Sequence, residues 1–199
     1  MAIARRAFFR TLGVAAGSLL LAGHTPYRQW EVYRRKHLLL LTHRDDPEGV
    51  ELARKIAEHL AKAVPSSQAR ITRAPQLHRV ASLLATDQLQ FAFVTRLEAK
   101  QLRYGRPPLE AYGRVPVTAI ATVDEHVLLA RSDVPDQHAW LLAQGLDGLS
   151  VIGRSVHLPA ARSDAANLEG MPVHPGVTVY SRGGKMPSHP VHTSDPSAD

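Results

Sequence analysis

Three apolar runs of strand length, alternating with two segments of helical period, constrain this chain more than any other feature. "KHLLLLT" (residues 36–42), "ARITRA" (69–74) and "LQFAFVT" (89–95) are the runs. Between the first two, Val50, Ala53, Ile56, Ala57, Leu60, Ala61 and Val64 recur at the spacing that puts them on one helical face. Asp45 or Asp46 can cap that helix, and Pro47 suits its first turn. Between the second and third runs, Pro75 opens a helix with Leu77, Val80, Leu83 and Leu84 inward. Apolar strands joined by helical crossovers are the mark of a parallel sheet covered on both faces. The order β-α-β-α-β therefore predicts an α/β domain: a three-layer lobe with a mostly parallel sheet and the first strand central.

The rest of the body extends that lobe. Residues 96–104 read as a helix, broken by Gly105-Arg106-Pro107-Pro108. "VTAIATV" (117–123) and "HVLLARS" (126–132) are separated only by Asp124-Glu125, which predicts an antiparallel hairpin at the sheet edge or a strand that kinks and continues. Residues 135–146 read as a short helix with Ala139, Leu142 and Ala143 inward. "VTVYS" (177–181) is ambiguous because its β-branched residues favour a strand. From residue 184 the chain is rich in Pro, Ser, His, Thr and Asp, which predicts a disordered tail over 184–199.

Charge separates the body from what precedes it. The chain carries a net charge of +6, yet residues 1–36 hold seven basic residues and one acidic, and the remainder holds seventeen of each. A body with balanced charge lacks the footprint of a nucleic-acid binder. The uncharged run at 11–23 is shorter than the roughly 20 residues of a membrane-spanning helix. A basic start, a short apolar run and small residues instead fit an export signal over residues 1–30. Arg5-Arg6-Ala7-Phe8-Phe9-Arg10 resembles the twin-arginine (Tat) signal, with Arg5, Arg6, Phe8 and Phe9 as its motif residues. That resemblance implies the Tat translocase as partner and the bacterial periplasm as destination. Leu21-Ala22-Gly23 fits the cleavage rule loosely, so a retained tether to the inner membrane is the alternative. With no cysteine in the chain, disulfides, thiol catalysis and cysteine metal sites are excluded.

The body, residues 36–183, also resembles the TAXI family, the solute-binding subunits of one branch of TRAP transporters. The likeness is carried by "LLLLTHRDDPEGVELARKIAEHL…ARITRAPQLHRVASLLATDQLQFAFVT", by "VTAIATVDEHVLLARSDV" at the place of the family's hinge crossing, and by "MPVHPGVTVYSR" (171–182). The last matches the terminal signature at Met171-Pro172, His174-Pro175-Gly176 and Tyr180, and implies a helix for 177–181. A typical member has a second α/β lobe between crossing and signature, whereas here residues 131–134 run almost directly into the 135–146 segment. The first loop, His43-Arg44-Asp45-Asp46-Pro47, also differs from the family's Gly/Ser/Thr-rich one, so no ligand contacts are carried over. The implied activity is solute binding for TRAP membrane subunits, by a chain reduced to one lobe. Such a lobe cannot close a hinge on its ligand.

Independently of family, ligands of parallel sheets sit at the carboxyl ends of the strands, where helix N-termini offer free N–H groups. Each of the three runs ends in threonine beside arginine: Thr42 with Arg44, Thr72 with Arg73, and Thr95 with Arg96. These six are the candidate ligand-binding residues. Guanidinium groups converging there favour a small carboxylate or phosphate solute. The eleven histidines include no HExxH and no His/carboxylate cluster on one helix, so no metal or cofactor is assigned. No nucleophile elbow, P-loop or dinucleotide fingerprint occurs, which disfavours a hydrolase or nucleotide enzyme. The expectation is a non-enzymatic binder of a small anionic solute. The alternative is an interaction or assembly factor of a periplasmic system.

Overall fold

The computed structural model describes residues 37–159 and 170–188. The twin-arginine segment, and the tail beyond 188, lie outside the described residues. The elements are β1 (Leu39–His43), α1 (Pro47–Ala63), β2 (Arg70–Ala74), α2 (Leu77–Ala85), β3 (Phe91–Thr95), α3 (Arg96–Tyr104), β4 (Val117–Val123), β5 (His126–Arg131), α4 (Asp136–Leu146), a two-strand ribbon of β6 (Ser150–Val151) and β7 (Arg154–Ser155), and α5 (Pro175–Ser181).

The five-strand sheet has the order β2-β1-β3-β5-β4. As expected, β1 lies between β2 and β3 and is parallel to both. The sheet as a whole is mixed, which corrects the expected mostly parallel sheet. β5 runs antiparallel to both β3 and β4, so half of the pairings are antiparallel. The two-residue Asp124-Glu125 link turns the chain back, which makes β4 and β5 antiparallel, and because β5 rather than β4 lies beside β3 the β3 pairing is antiparallel as well. Asp124 takes a left-handed φ of 47°, which Asp tolerates better than most residues. β4 is not left as a bare edge. Thr122 pairs with His157, and Ala119 bridges Val173 in the 171–174 segment.

Side-chain alternation assigns the two faces. Leu40 of β1, Phe91 and Phe93 of β3, and Leu128 and Ala130 of β5 share one core with Leu52, Ile56 and Leu60 of α1 and Leu142 and Leu146 of α4. Leu39, Leu41, Ala92, Val94, Val127 and Leu129 alternate with them and are buried on the other face, where α2 and α3 pack through Val80, Leu84, Ala99 and Leu102. The helix starts follow from local chemistry. Asp46 accepts the Gly49 N–H at 2.9 Å with Pro47 in the first turn, and Thr95 and Glu98 form a reciprocal capping box on α3.

The 177–181 segment is helical. His174 caps it, Pro175 opens it, and burial of Gly176 and Val177 outweighs the strand preference of its valines. Residues 184–188 have no regular structure, but Gly184 is held to the body because its carbonyl accepts the Trp140 indole N–H at 3.1 Å. Among the described residues no helix is long and apolar enough to cross a membrane.

Candidate functional site

At the carboxyl ends of β1 and β3 the structure assembles four titratable side chains: His43, Asp46, Glu98 and His126. Each is placed by a different local rule. His43 is the last residue of β1 and alternates with Leu39 and Leu41 toward the α3 face. Glu98 is on that face because it is the third residue of α3, where a carboxylate reaches back to the free N–H of the cap. Asp46 caps α1 on the opposite face. His126 opens β5 opposite Thr95, on the same side as Leu128, and stacks on Phe93 with ring centroids 5.4 Å apart. Two acid–imidazole pairs therefore flank the sheet end, one on each face.

The His43–Glu98 pair is close but not directional. Glu98 Oε1 lies 3.0 Å from His43 Nε2, yet neither nitrogen of the His43 ring has an aligned hydrogen-bond partner, although the side chain is almost fully buried. The contact is electrostatic rather than a well-formed hydrogen bond. The other oxygen of Glu98 accepts both the backbone N–H and the hydroxyl of Thr95 at 2.9 Å. In the second pair, His126 Nε2 donates to Asp46 Oδ2 at 3.1 Å, while Asp46 Oδ1 is engaged by Gly49. His126 Nδ1 and the Thr42 hydroxyl are buried without partners.

Charge follows this geometry. The Glu98 carboxylate holds His43 above its ordinary value of 6.5, against the opposing effect of burial. Burial pushes the Asp46 carboxyl up, but the His126 contact, the Gly49 N–H and the neighbouring imidazoles outweigh it and leave the group below its usual range. Glu98 behaves alike, with burial outweighed by His43 and the Thr95 donors. The cluster is thus a set of ionised carboxylates around basic imidazole, with spare nitrogen valences.

The six residues expected at the strand ends divide. Thr42 is buried beside His43, and Arg73 stands opposite it in the β1–β2 register with its side chain exposed. Arg44 is exposed, with its backbone N–H bonded to the Ala74 carbonyl. Thr72 is half-buried. Thr95 is used as the α3 cap. Arg96 donates from Nε to the Asp124 carbonyl at 2.9 Å, so it braces the β4–β5 turn. Of the helix N-termini at these strand ends, that of α1 is capped by Asp46 and that of α3 by Thr95 with Glu98, while that of α2 has no side-chain cap.

The sequence assigned no metal ligands, and a group of side chains that could serve as such lies at these strand ends. His43, Asp46 and Glu98 each present a ligand atom, and these atoms all lie within 4.8 Å of one another. A search along single helices misses this set because its members come from a strand end, a loop cap and a helix start. Two signals were present in the sequence: the Asp46-Pro47 helix start and the Thr95-x-x-Glu98 box. Each places a carboxylate at the top of one of two adjacent strands. Set against known proteins, the chain matches no family model, no curated protein and no solved structure.

Proposed function

We propose that this domain is a single-lobe relative of the TAXI solute-binding subunits and binds a small anionic, carboxylate-type solute at the carboxyl ends of β1, β2 and β3. The observation that carries the reading is the buried Thr42 hydroxyl, which has no hydrogen-bond partner, at a sheet end where Arg44 and Arg73 are exposed. Buried donors and acceptors without partners are uncommon, and a bound solute is one way to complete them. The arginines supply the charge for a carboxylate, and the buried Thr42 hydroxyl supplies orientation. The domain acts as a binder rather than a catalyst, exported by the Tat translocase to the periplasm, with TRAP membrane subunits as the receiving partner.

A second reading, a docking domain for a protein partner, is favoured by one observation. Leu97 and Ile152 are the most exposed large apolar side chains among the described residues, at 65% and 56%. Leu97 follows Arg96, which bonds the Asp124 carbonyl, and Ile152 lies two residues before Arg154, which pairs with Asp124 and Glu48. A partner seated over that end would cover them.

A thermal-shift screen of dicarboxylates, acidic amino acids and organic phosphates separates the two. A solute at about 100 times its dissociation constant adds about 2.7 kcal/mol to stability. The expected result is stabilisation by a carboxylate that is lost in the Arg44→Ala/Arg73→Ala variant. Stabilisation that survives the double substitution, or none from any compound, overturns the anion reading and leaves the docking reading.

A further inference from the structure

We propose that His43, Asp46 and Glu98 bind one first-row divalent transition ion of the zinc class, with His126 as the outer partner that orients Asp46. The inference does not depend on the solute reading, since the ion would bind with or without a solute above it.

Four observations carry it. The donor set is one imidazole and two carboxylates, which suits Zn2+ and its first-row neighbours; Ca2+ and Mg2+ favour oxygen ligands throughout. The His43 ring is buried, with a relative exposure of 3%, and neither ring nitrogen has an aligned partner. Nδ1 has no hydrogen-bond partner and Nε2 meets only the off-axis Glu98 carboxylate, so the ion pair leaves part of the ring's bonding capacity unused.

The third observation is the off-axis approach of Glu98 Oε1 to His43 Nε2 at 3.0 Å. Two ligands each about 2.1 Å from one ion sit about 3.0 to 3.4 Å apart and face the ion instead of each other. The Asp46 oxygen completes a triangle within 4.8 Å, which small side-chain rotations can close.

The fourth is the support around the ligands. Glu98 is held by the Thr95 N–H and hydroxyl, and Asp46 by the Gly49 N–H and His126. Ligating carboxylates are commonly fixed in this way by outer partners. The three ligands also stand on a strand end and on two helix starts packed against opposite faces of the same sheet end, which limits how far they can drift.

The test uses the full chain, stripped of metal with a chelator and titrated with ZnSO4, CoCl2, MgCl2 or CaCl2. One equivalent of Zn2+ is expected to bind. Zn2+ at a hundredfold excess over its dissociation constant should raise Tm by roughly 5–10 °C, while Mg2+ and Ca2+ leave it unchanged. Glu98→Gln and Asp46→Asn each keep an oxygen for the helix cap and should weaken Zn2+ binding at least about tenfold, the low end of what losing even an outer partner costs. The His189→Ala/His192→Ala variant should bind as the parent does. A measurement that needs no variant is the 15N resonances of the His43 ring, which should move on Zn2+ addition, and bound Co2+ should show ligand-field absorption. Absence of stoichiometric Zn2+ binding, binding undiminished in both carboxamide variants, an unmoved His43 ring, or binding lost in the tail variant would each overturn the proposal.

Discussion

Two buried histidines, His43 and His174, have opposite surroundings, and the contrast separates what holds the fold from what the fold holds in readiness. His174 is fully buried, and both its nitrogens are used: Nε2 donates to the Val134 carbonyl at 3.1 Å and Nδ1 accepts the Gly176 N–H at 3.2 Å. Only the neutral ring with its proton on Nε2 satisfies both bonds. Burial holds it below its ordinary value of 6.5, despite the upward pull of Asp136, whose carboxylate is 3.7 Å away, and of the Val134 carbonyl. His43 is buried almost as deeply, yet neither of its nitrogens has an aligned hydrogen bond, and the nearby Glu98 carboxylate displaces its pKa upward. One ring ties α5 and the loop before α4 together. The other meets only the off-axis carboxylate of Glu98.

The largest expected effect is at the structural ring. His174→Leu would leave the Val134 carbonyl and the Gly176 N–H buried without partners, in the tightest part of the interface between α4 and α5. A Cβ on Gly176 would already stand 2.1 Å from the Asp136 carbonyl oxygen, so the backbones cannot move closer to compensate. Each orphaned group costs about 1–3 kcal/mol, and we expect a total loss of about 3 kcal/mol in urea unfolding. A loss below about 1 kcal/mol would mean that the bonds of His174 do not set it apart from His43.

Titration sharpens the contrast. The folded pKa of His174 is depressed, so its contribution is fully present above the unfolded value near 6.5 and is lost as pH falls through the folded value. The destabilisation caused by His174→Leu should therefore shrink on acidification from pH 6.5, with a slope of at most about 1.4 kcal/mol per pH unit for one proton. For His43 the sign reverses. Its folded pKa is raised, so its contribution is full below 6.5 and fades as pH rises through the folded value. Urea titrations of the parent and the His174→Leu variant across this range check the first statement. A loss that grows on acidification would show that the ring is charged in the fold.

Much of the fold was legible because local and long-range demands agree. The helical face of α1 and the unbroken apolar runs of β1 and β3 can be buried in one way only, with helices on both faces of adjacent parallel strands. The insertion of β5 between β3 and β4 was less legible. A two-residue link fixes that Val117–Val123 and His126–Arg131 pair, but not which of them meets β3. The 177–181 helix was settled by packing on α4 and not by propensity.

The site was the least legible part. His43 and Asp46 are near each other in sequence, but Glu98 and His126 arrive through the β1–β3 neighbour relation and the β5 register, which no spacing encodes. The arginines stood out as strand-end charges, yet Arg96 braces a turn, while Asp46, which read as a helix cap, and Glu98, which was not singled out, each meet a histidine.

The smallest expected effect is the sharpest test of the comparison. In chelator at pH 7, the variant His43→Leu/Glu98→Gln removes an imidazole without aligned partners and the carboxylate beside it, and replaces them with an apolar side chain of similar size and a neutral group that still accepts from Thr95. Exchanging a buried ion pair for apolar packing is often neutral or stabilising, because the desolvation of both charges is avoided. The His43 ring also gives up no directional hydrogen bonds when it goes. The unfolding midpoint should correspond to a change within about 1 kcal/mol of the parent, in either direction, the pattern expected where a site is kept for binding at some expense of stability. A loss above about 2 kcal/mol would place His43 with His174 among the groups that hold the fold, and the cluster at the strand ends would then be a structural ion pair.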